Sequence, residues 1–262
     1  MSKTKKVIGV KNLVKKYGDF VAVNDISFEV YEGEIFGLLG PNGAGKTTTL
    51  EIIETLRDHT EGKIHLYDLD IDTHKTQVKQ LIGVQLQQSG YYPGLSLIEI
   101  LKLFADLYNT SIQPMELLKL VDLETKAKNK YEALSGGQKQ RFSIATTLVN
   151  RPKIIFLDEP STGLDPKARR NLWGLIEKIR SQGTTVVITT HYMDEAEFLC
   201  DRVAVMESGK IVALDSPDAL IDKLVASGFQ RPKETKQATL EDVFLNLTGK
   251  KLEEEVEDDG SN

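Results

Sequence analysis

The sequence predicts an α/β fold with a parallel core sheet, an antiparallel β subdomain near the N-terminus and an inserted α-helical subdomain. Three observations carry this. Short apolar runs at Ile35–Leu39, Ile154–Leu157, Thr185–Thr189 and Val203–Met206 alternate with helical segments, as in parallel strands covered on both faces. The first run passes straight into the glycine-rich segment Gly40–Thr47, GPNGAGKT, a strand-to-helix turn. A second glycine-bearing helix start, LSGGQ at Leu134–Gln138, stands well downstream of it.

In chain order, Val7–Val14 and Ala22–Val30 read as strands around a turn at Gly18-Asp19, which makes an antiparallel pair. Gly33–Leu39 is the buried strand that feeds the glycine loop. Lys46–Leu56, KTTTLEIIETL, reads as a helix with apolar residues at Leu50, Ile52, Ile53 and Leu56. In the stretch IGVQLQQSGYYP, Gln85 reads as a strand residue and Gln88 as a loop residue. Ser96–Tyr108 and Pro114–Val121 look helical and amphipathic, and form the inserted subdomain that leads to LSGGQ. Ser135 and Gln138 have capping-box spacing, so a helix begins there and continues into KQRFSIATTLV. Asp165 reads as the N-cap and Pro166 as the first residue of a helix through Arg180, with Gly183 after its end. Glu207-Ser-Gly-Lys210 reads as a tight hairpin turn into Ile211–Leu214. Ala238–Leu247 reads as a short helix with Leu240, Val243, Phe244 and Leu247 on one face, and Glu253–Asp259 as an acidic, disordered run without assigned function. The expected organisation is one domain over 1–228 with its helical subdomain at about 88–150, a helical appendage over 229–250 and an acidic tail over 251–262.

The glycine loop fits the pattern G-x-x-x-x-G-K-[ST], whose physics is phosphate binding. Gly40, Gly43 and Gly45 free the backbone for positive φ and close approach, so the loop Gly40, Pro41, Asn42, Gly43, Ala44 and Gly45 can cradle phosphate oxygens at a helix N-terminus. Lys46 then reaches the β- and γ-phosphates, Thr47 offers a hydroxyl to Mg²⁺, and Thr48 belongs to the same cofactor-binding helix start. A plain turn would need no Lys-Thr at that offset. At Ile154–Pro160, IIFLDEP, adjacent carboxylates on an extended chain point to opposite faces. Asp158 is therefore assigned to Mg²⁺ and Glu159 to the attacking water. LSGGQ gives a second donor-rich helix start in a chain that already has a phosphate loop, and one solution is that it completes the site of another copy. Lys139 and Arg141, just inside that helix, read by default as a solvated face.

These motifs together make the chain resemble the nucleotide-binding subunit of an ATP-binding cassette (ABC) transporter, over roughly Val7–Leu214. The fold implied is a P-loop NTPase with the signature carried on the helical subdomain. On that resemblance Gly40–Thr47 is Walker A and Ile154–Glu159 is Walker B, with Glu159 the catalytic carboxylate and Lys46 beside it. Tyr17, in KKYGDF, matches the adenine-stacking aromatic. Gln87 matches the Q-loop glutamine, by its spacing after Ile-Gly, and a Mg²⁺ ligand. Ser135, Gly136, Gly137 and Gln138 belong to the signature, Asp165 is the D-loop aspartate, and His191, in TTHYMDEAE, is the switch histidine. A histidine after a β run ordinarily just marks a strand end, and Tyr17 an edge aromatic; each gains weight from its place in the series. The C-terminal ATLEDVFLNL resembles the closing segment of bacterial ATPases serving drug, lipid, polysaccharide or sodium exporters.

The resemblance implies ATP and Mg²⁺ as cofactors, a second ABC ATPase subunit as partner and integral membrane permease subunits as the transport path. It places the protein in the cytoplasm, on the inner face of the membrane through that permease. Composition agrees. A net charge of −6 argues against a nucleic-acid binder, so no nucleic acid is expected. The single cysteine, Cys200, suits a reducing compartment. No apolar run reaches the roughly 20 residues of a bilayer span, and the basic N-terminus lacks the apolar core of a signal peptide. A non-transport ABC ATPase acting on ribosomes or DNA is the main alternative; it is disfavoured by the single cassette without long insertions. A P-loop kinase or GTPase would have no use for LSGGQ.

Overall fold

A computed structural model of the chain describes residues 5–85 and 90–229. The chain divides into two units, 1–222 and 223–262, and the second is described only as far as Phe229. Apart from Phe229, the expected appendage and acidic tail lie outside the described residues, as do Gln87 and Gln88.

The elements follow in the order β1 (Lys6–Tyr17), β2 (Phe20–Tyr31), β3 (Ile35–Leu39), α1 (Lys46–Ile53), β4 (Glu61–Leu66), β5 (Leu69–Asp70), α2 (Lys75–Leu81), β6 (Ile82–Gln85) and α3 (Leu97–Leu107). After these come α4 (Pro114–Leu120), α5 (Gly136–Thr147), β7 (Ile154–Asp158), α6 (Pro166–Ser181), β8 (Thr185–Thr190), α7 (Met193–Leu199), β9 (Arg202–Glu207), β10 (Lys210–Asp215) and α8 (Pro217–Ala226). One sheet is antiparallel, in the order β2-β1-β4-β5. The other runs β10-β9-β3-β8-β7-β6, parallel except for the β9–β10 hairpin at its edge.

The apolar runs are buried because the core sheet is covered on both faces. Ile155, Leu157, Val186 and Ile188 face α3–α7, whereas Ile154, Phe156 and Val187 face α1 and the antiparallel sheet. Alternation along a strand thus feeds two cores, which is why these strands read as continuous hydrophobic runs. In the helical subdomain Ser96–Glu99 and Ser135–Gln138 both form capping boxes at the starts of α3 and α5. Asp165 caps α6, accepting from Lys167 and Ala168 N–H at 2.9 and 2.8 Å. The β9–β10 turn places Ser208 and Gly209 at φ 49° and 78°, the left-handed pair of a two-residue hairpin.

One expectation needs correction, and three elements went unread. The helix after the glycine loop ends at Ile53, not Leu56, because Thr55 turns left-handed at φ 62° and leaves Leu56 half exposed. β4, β5 and α2 did not register in the sequence: β4 buries only Ile64 and Leu66, and α2 only Val78, too few apolar positions to set a period.

Glu54, at the end of α1, is 2% exposed, and burial together with Asp158 and Glu51 pushes its carboxyl from 4.5 up to about 8. The folded chain therefore keeps a proton that the unfolded chain releases, so this group's contribution to stability falls as pH rises from 4.5 to 8. The loss is up to about 5 kcal/mol. Glu54→Gln should flatten this slope: in urea unfolding the variant should gain on the native chain between pH 5 and pH 8. Parallel pH curves for the two proteins would contradict the assignment.

Candidate functional site

The site grows from the C-terminal ends of three adjacent strands, β3, β8 and β7. β3 ends in the glycine loop, where Gly40 N–H donates to Thr190 O on β8 at 3.3 Å. A Cβ at Gly40 would lie 2.3 Å from Met206 O, so no other residue fits. Gly45, at φ 96°, opens α1 with its Cα facing Ala22 O, where a Cβ would come to 2.5 Å. The β9–β10 hairpin braces the loop from outside: Gly209 N–H donates to Ala44 O at 3.2 Å, and Asn24 N–H to Gly209 O at 2.8 Å. Pro41, Asn42 and Gly43 form an exposed tip, while Thr47 and Thr48 are half-buried in the first turn of α1.

Lys46 is buried, and its ammonium donates to Gly40 O at 2.8 Å and Pro41 O at 3.1 Å. Its Nζ also lies 3.4 Å from Glu159 Oε1. Asp158 ends β7. Its Oδ1 accepts from Thr47 Oγ1 at 3.2 Å and from the Thr189 hydroxyl. Burial pushes the Asp158 carboxyl above its usual range, and the hydrogen bonds from Thr189 and Thr47 pull against it.

Glu159 departs from the strand geometry expected for it. It lies outside β7 with φ 46°, a left-handed conformation that costs a non-glycine residue about 1–2 kcal/mol. Its backbone N–H is held by Thr189, at 2.9 Å to Oγ1 and 3.2 Å to the carbonyl. With the backbone twisted out of strand geometry, the two carboxylates meet different partners: Thr47 and Thr189 for Asp158, and Lys46, Thr162 and His191 for Glu159. Around the Glu159 carboxylate stand Lys46, the Thr162 hydroxyl donating to Oε2 at 3.3 Å, and His191. His191 Nδ1 lies 3.2 Å from Oε2, a charge-pair distance without hydrogen-bond alignment.

Thr47 and Asp158 present adjoining hard oxygen donors, which suits Mg²⁺. Among the described residues no group of three or more His, Cys, Asp or Glu could cage a metal. Two protein oxygens fit an ion completed by phosphates and water rather than by the protein alone.

Tyr17, at the end of β1, is 41% exposed and no core residue. Its hydroxyl accepts from Arg57 Nη1 at 2.7 Å, and Lys15 lies over the ring at 4.9 Å. Ser135, Gly136, Gly137 and Gln138 open α5 along a cleft of about 600 Å³ shared with Asp165, Lys167 and Ala168. None of Gly40–Thr47 lines that cleft. Arg141 is not simply solvated: it donates to Val121 O at 2.9 Å and pairs with Asp122 at 3.3 Å, tying α5 to the end of α4. Tyr91, ahead of α3, packs on Phe142 of α5 with ring centroids 5.4 Å apart.

The structure thus gathers Lys46, Thr47, Asp158, Glu159 and His191, and sets Ser135–Gln138 with Asp165 in a separate cleft. Thr189 and Thr162 escaped the sequence reading. The one available signal was a threonine at the buried end of an apolar strand, where a hydroxyl needs a partner.

A phosphate cradle beside paired carboxylates at the ends of parallel strands defines a nucleoside triphosphatase of the phosphate-loop class. The family pattern described as ABC transporter matches residues 23–162. The Nod factor export ATP-binding protein I of Burkholderia orbicola is 42% identical over 220 residues, covering 82% of this chain and 72% of that protein. The linearmycin resistance ATP-binding protein LnrL of Bacillus subtilis is 36% identical, covering 83% and 72%. The dimeric post-hydrolysis cassette MJ0796, with ADP and phosphate bound, matches with a TM-score of 0.71 at 31% identity, over 80% of this chain and 98% of that one. The chain belongs to the ABC transporter family, as an ATP-binding subunit that hydrolyses ATP.

Because one hydroxyl holds both the Asp158 carboxylate and the Glu159 backbone N–H, Thr189→Val should lower ATP turnover about 10- to 100-fold, the usual cost of removing such an outer partner. Thr189→Ser should recover most of it. Steady-state phosphate release measures both, and native turnover in Thr189→Val would remove Thr189 from the site.

Proposed function

We propose that this chain powers export through a separate membrane permease, working as a head-to-tail pair in which each copy lends its signature to the other's ATP. The observation that carries the pairing is the separation of the two phosphate-seeking elements. The signature cleft contains no phosphate-loop residue of its own chain, so its donors are free for a γ-phosphate presented by another copy. The relatives named for export and drug resistance support the direction of transport. Among the described residues no helix is long and apolar enough to cross a membrane, in keeping with a permease on another polypeptide and a peripheral place on the membrane's inner face.

In this reading the loop amides and Lys46 hold the β- and γ-phosphates, and Tyr17 offers an exposed ring to adenine. Thr47 and Asp158 would hold Mg²⁺, with Gln87 a further ligand, and the ion would supply charge neutralisation for the phosphates. Glu159 orients the attacking water and takes its proton, turned toward it by the left-handed backbone. His191 and Lys46 flank that carboxylate and balance the charge as the γ-phosphate leaves. Gly136 and Gly137 of the other copy, at the bare start of α5, complete the shell around the γ-phosphate, and Asp165 fixes the helix beside them. Hydrolysis removes the shared ligand, the copies part, and the helical subdomain passes the motion to the permease. ATP drives this through its different affinity for the closed and open pair.

Glu159→Gln tests this directly. The variant should bind ATP with Mg²⁺, turn it over about 10²- to 10⁴-fold more slowly, and elute as a dimer in ATP but a monomer in ADP. A monomer in ATP, both alone and with the permease, would refute the shared site.

A further inference from the structure

α6 and α7, the two helices that leave the site, are clasped by side chains with no part in the reading above. Trp173 Nε1 donates to Glu195 Oε1 at 3.0 Å, and Glu195 is fully buried. The Trp173 ring stacks on Phe198, with centroids 5.0 Å apart. These contacts hold the helices as one body. Toward the start of α6, Arg169 pairs with Asp194 at 3.2 Å, and its guanidinium carbon lies 4.3 Å from the Tyr192 ring centroid. The Tyr192 ring lies 4.1 Å from the His191 ring, and His191 Nδ1 lies 3.2 Å from Glu159 Oε2. An unbroken run of contacts therefore leads from the first turn of α6 to the Glu159 carboxylate.

The His191 ring depends on that run. A histidine is usually oriented by the hydrogen bond of one ring nitrogen, but Nδ1 here has no aligned partner among the described residues. What lies against the ring is Tyr192, and what lies against Tyr192 is the planar guanidinium of Arg169. Arg169 Nε is buried without a hydrogen-bond partner, so stacking and the ion pair to Asp194 fix that group. The same turn of α6 starts at Asp165 and lines the signature cleft with Lys167 and Ala168. That is the surface a second copy would meet.

We propose that Arg169 and Tyr192 are positioning residues that hold the His191 imidazole against Glu159, and so make hydrolysis answer to contact at the first turn of α6. The inference rests on the reading that His191 and Glu159 act on ATP. Neither positioning residue needs to touch the nucleotide, so their loss should change turnover and spare binding.

The test is steady-state ATPase of the full chain with Mg²⁺. Tyr192→Ala should lower kcat about tenfold with the KM for ATP within about twofold. Tyr192→Phe, which keeps the ring, should retain native kcat. Arg169→Ala should match Tyr192→Ala, and the double variant should be no worse than either alone, because both act along one path. Native kcat in Tyr192→Ala beside an inactive His191→Ala overturns this proposal and leaves the site reading standing. Equal losses in Tyr192→Phe and Tyr192→Ala, multiplying losses in the double variant, or a loss confined to KM would also overturn it. Full activity in His191→Ala would instead remove the reading on which it rests.

Discussion

The hydroxyl of Thr189 is the pivot of the site. Asp158 and Thr189 are partners in the β7–β8 register, so the parallel ladder brings that hydroxyl to the Asp158 carboxylate. The same oxygen accepts the backbone N–H of Glu159 and supports its left-handed turn. One side chain, placed by strand pairing, thus holds the carboxylate of one acid and the backbone of the next. Because β8 lies between β3 and β7, it also joins the glycine loop, through Thr190 O, to the carboxylates and carries His191 at its end. The glycine loop, Asp158, Glu159 and His191 are therefore placed by the order of three strands, each buried on both faces.

Where sequence reading succeeded, the physics was local. Strands buried on both faces leave continuous apolar runs, and Ser135 with Gln138 or Asp165 with Pro166 state a helix start within four residues. The glycine loop was legible because only glycine survives at Gly40, against Met206 O. The parts that did not read depend on distant partners. Nothing near Glu159 in sequence announces its positive φ, since Thr189 lies thirty residues away. The expectation of an extended Glu159 missed this turn, because its support comes from a residue on another strand. β4 and α2 were illegible for another reason: they bury too little of their own surface to leave a pattern.

The placement of the signature is also a consequence of local rules. The Ser135–Gln138 box satisfies the third N–H of α5 and folds the glutamine back on the cap, which leaves Gly136 and Gly137 as bare first-turn donors. Arg141 anchors this helix to the end of α4, and the apolar side of the same helix packs into the core shared with the parallel sheet, so the exposed donors stand on a supported helix. A donor-rich surface that is rigid loses little entropy when a ligand arrives. That property suits the proposed role, in which these donors meet a phosphate held by another copy.

The electrostatics of the carboxylates bear on what that phosphate brings with it. Asp158 and Glu159 are two acids against one ammonium, that of Lys46, while the buried Glu54 nearby keeps its proton up to about pH 8. Burial raises Asp158, and Glu159 beside it adds to the cost of its charge. A polyphosphate alone would bring more negative charge to this wall. Opposite a divalent cation the balance reverses: Asp158 gains a partner that favours its charged form, and its hydrogen bonds from Thr47 and Thr189 then act with the charge rather than against the burial. In the proposed reading, a nucleotide that arrives with its cation would therefore meet a better-matched wall at Asp158 than one that arrives bare.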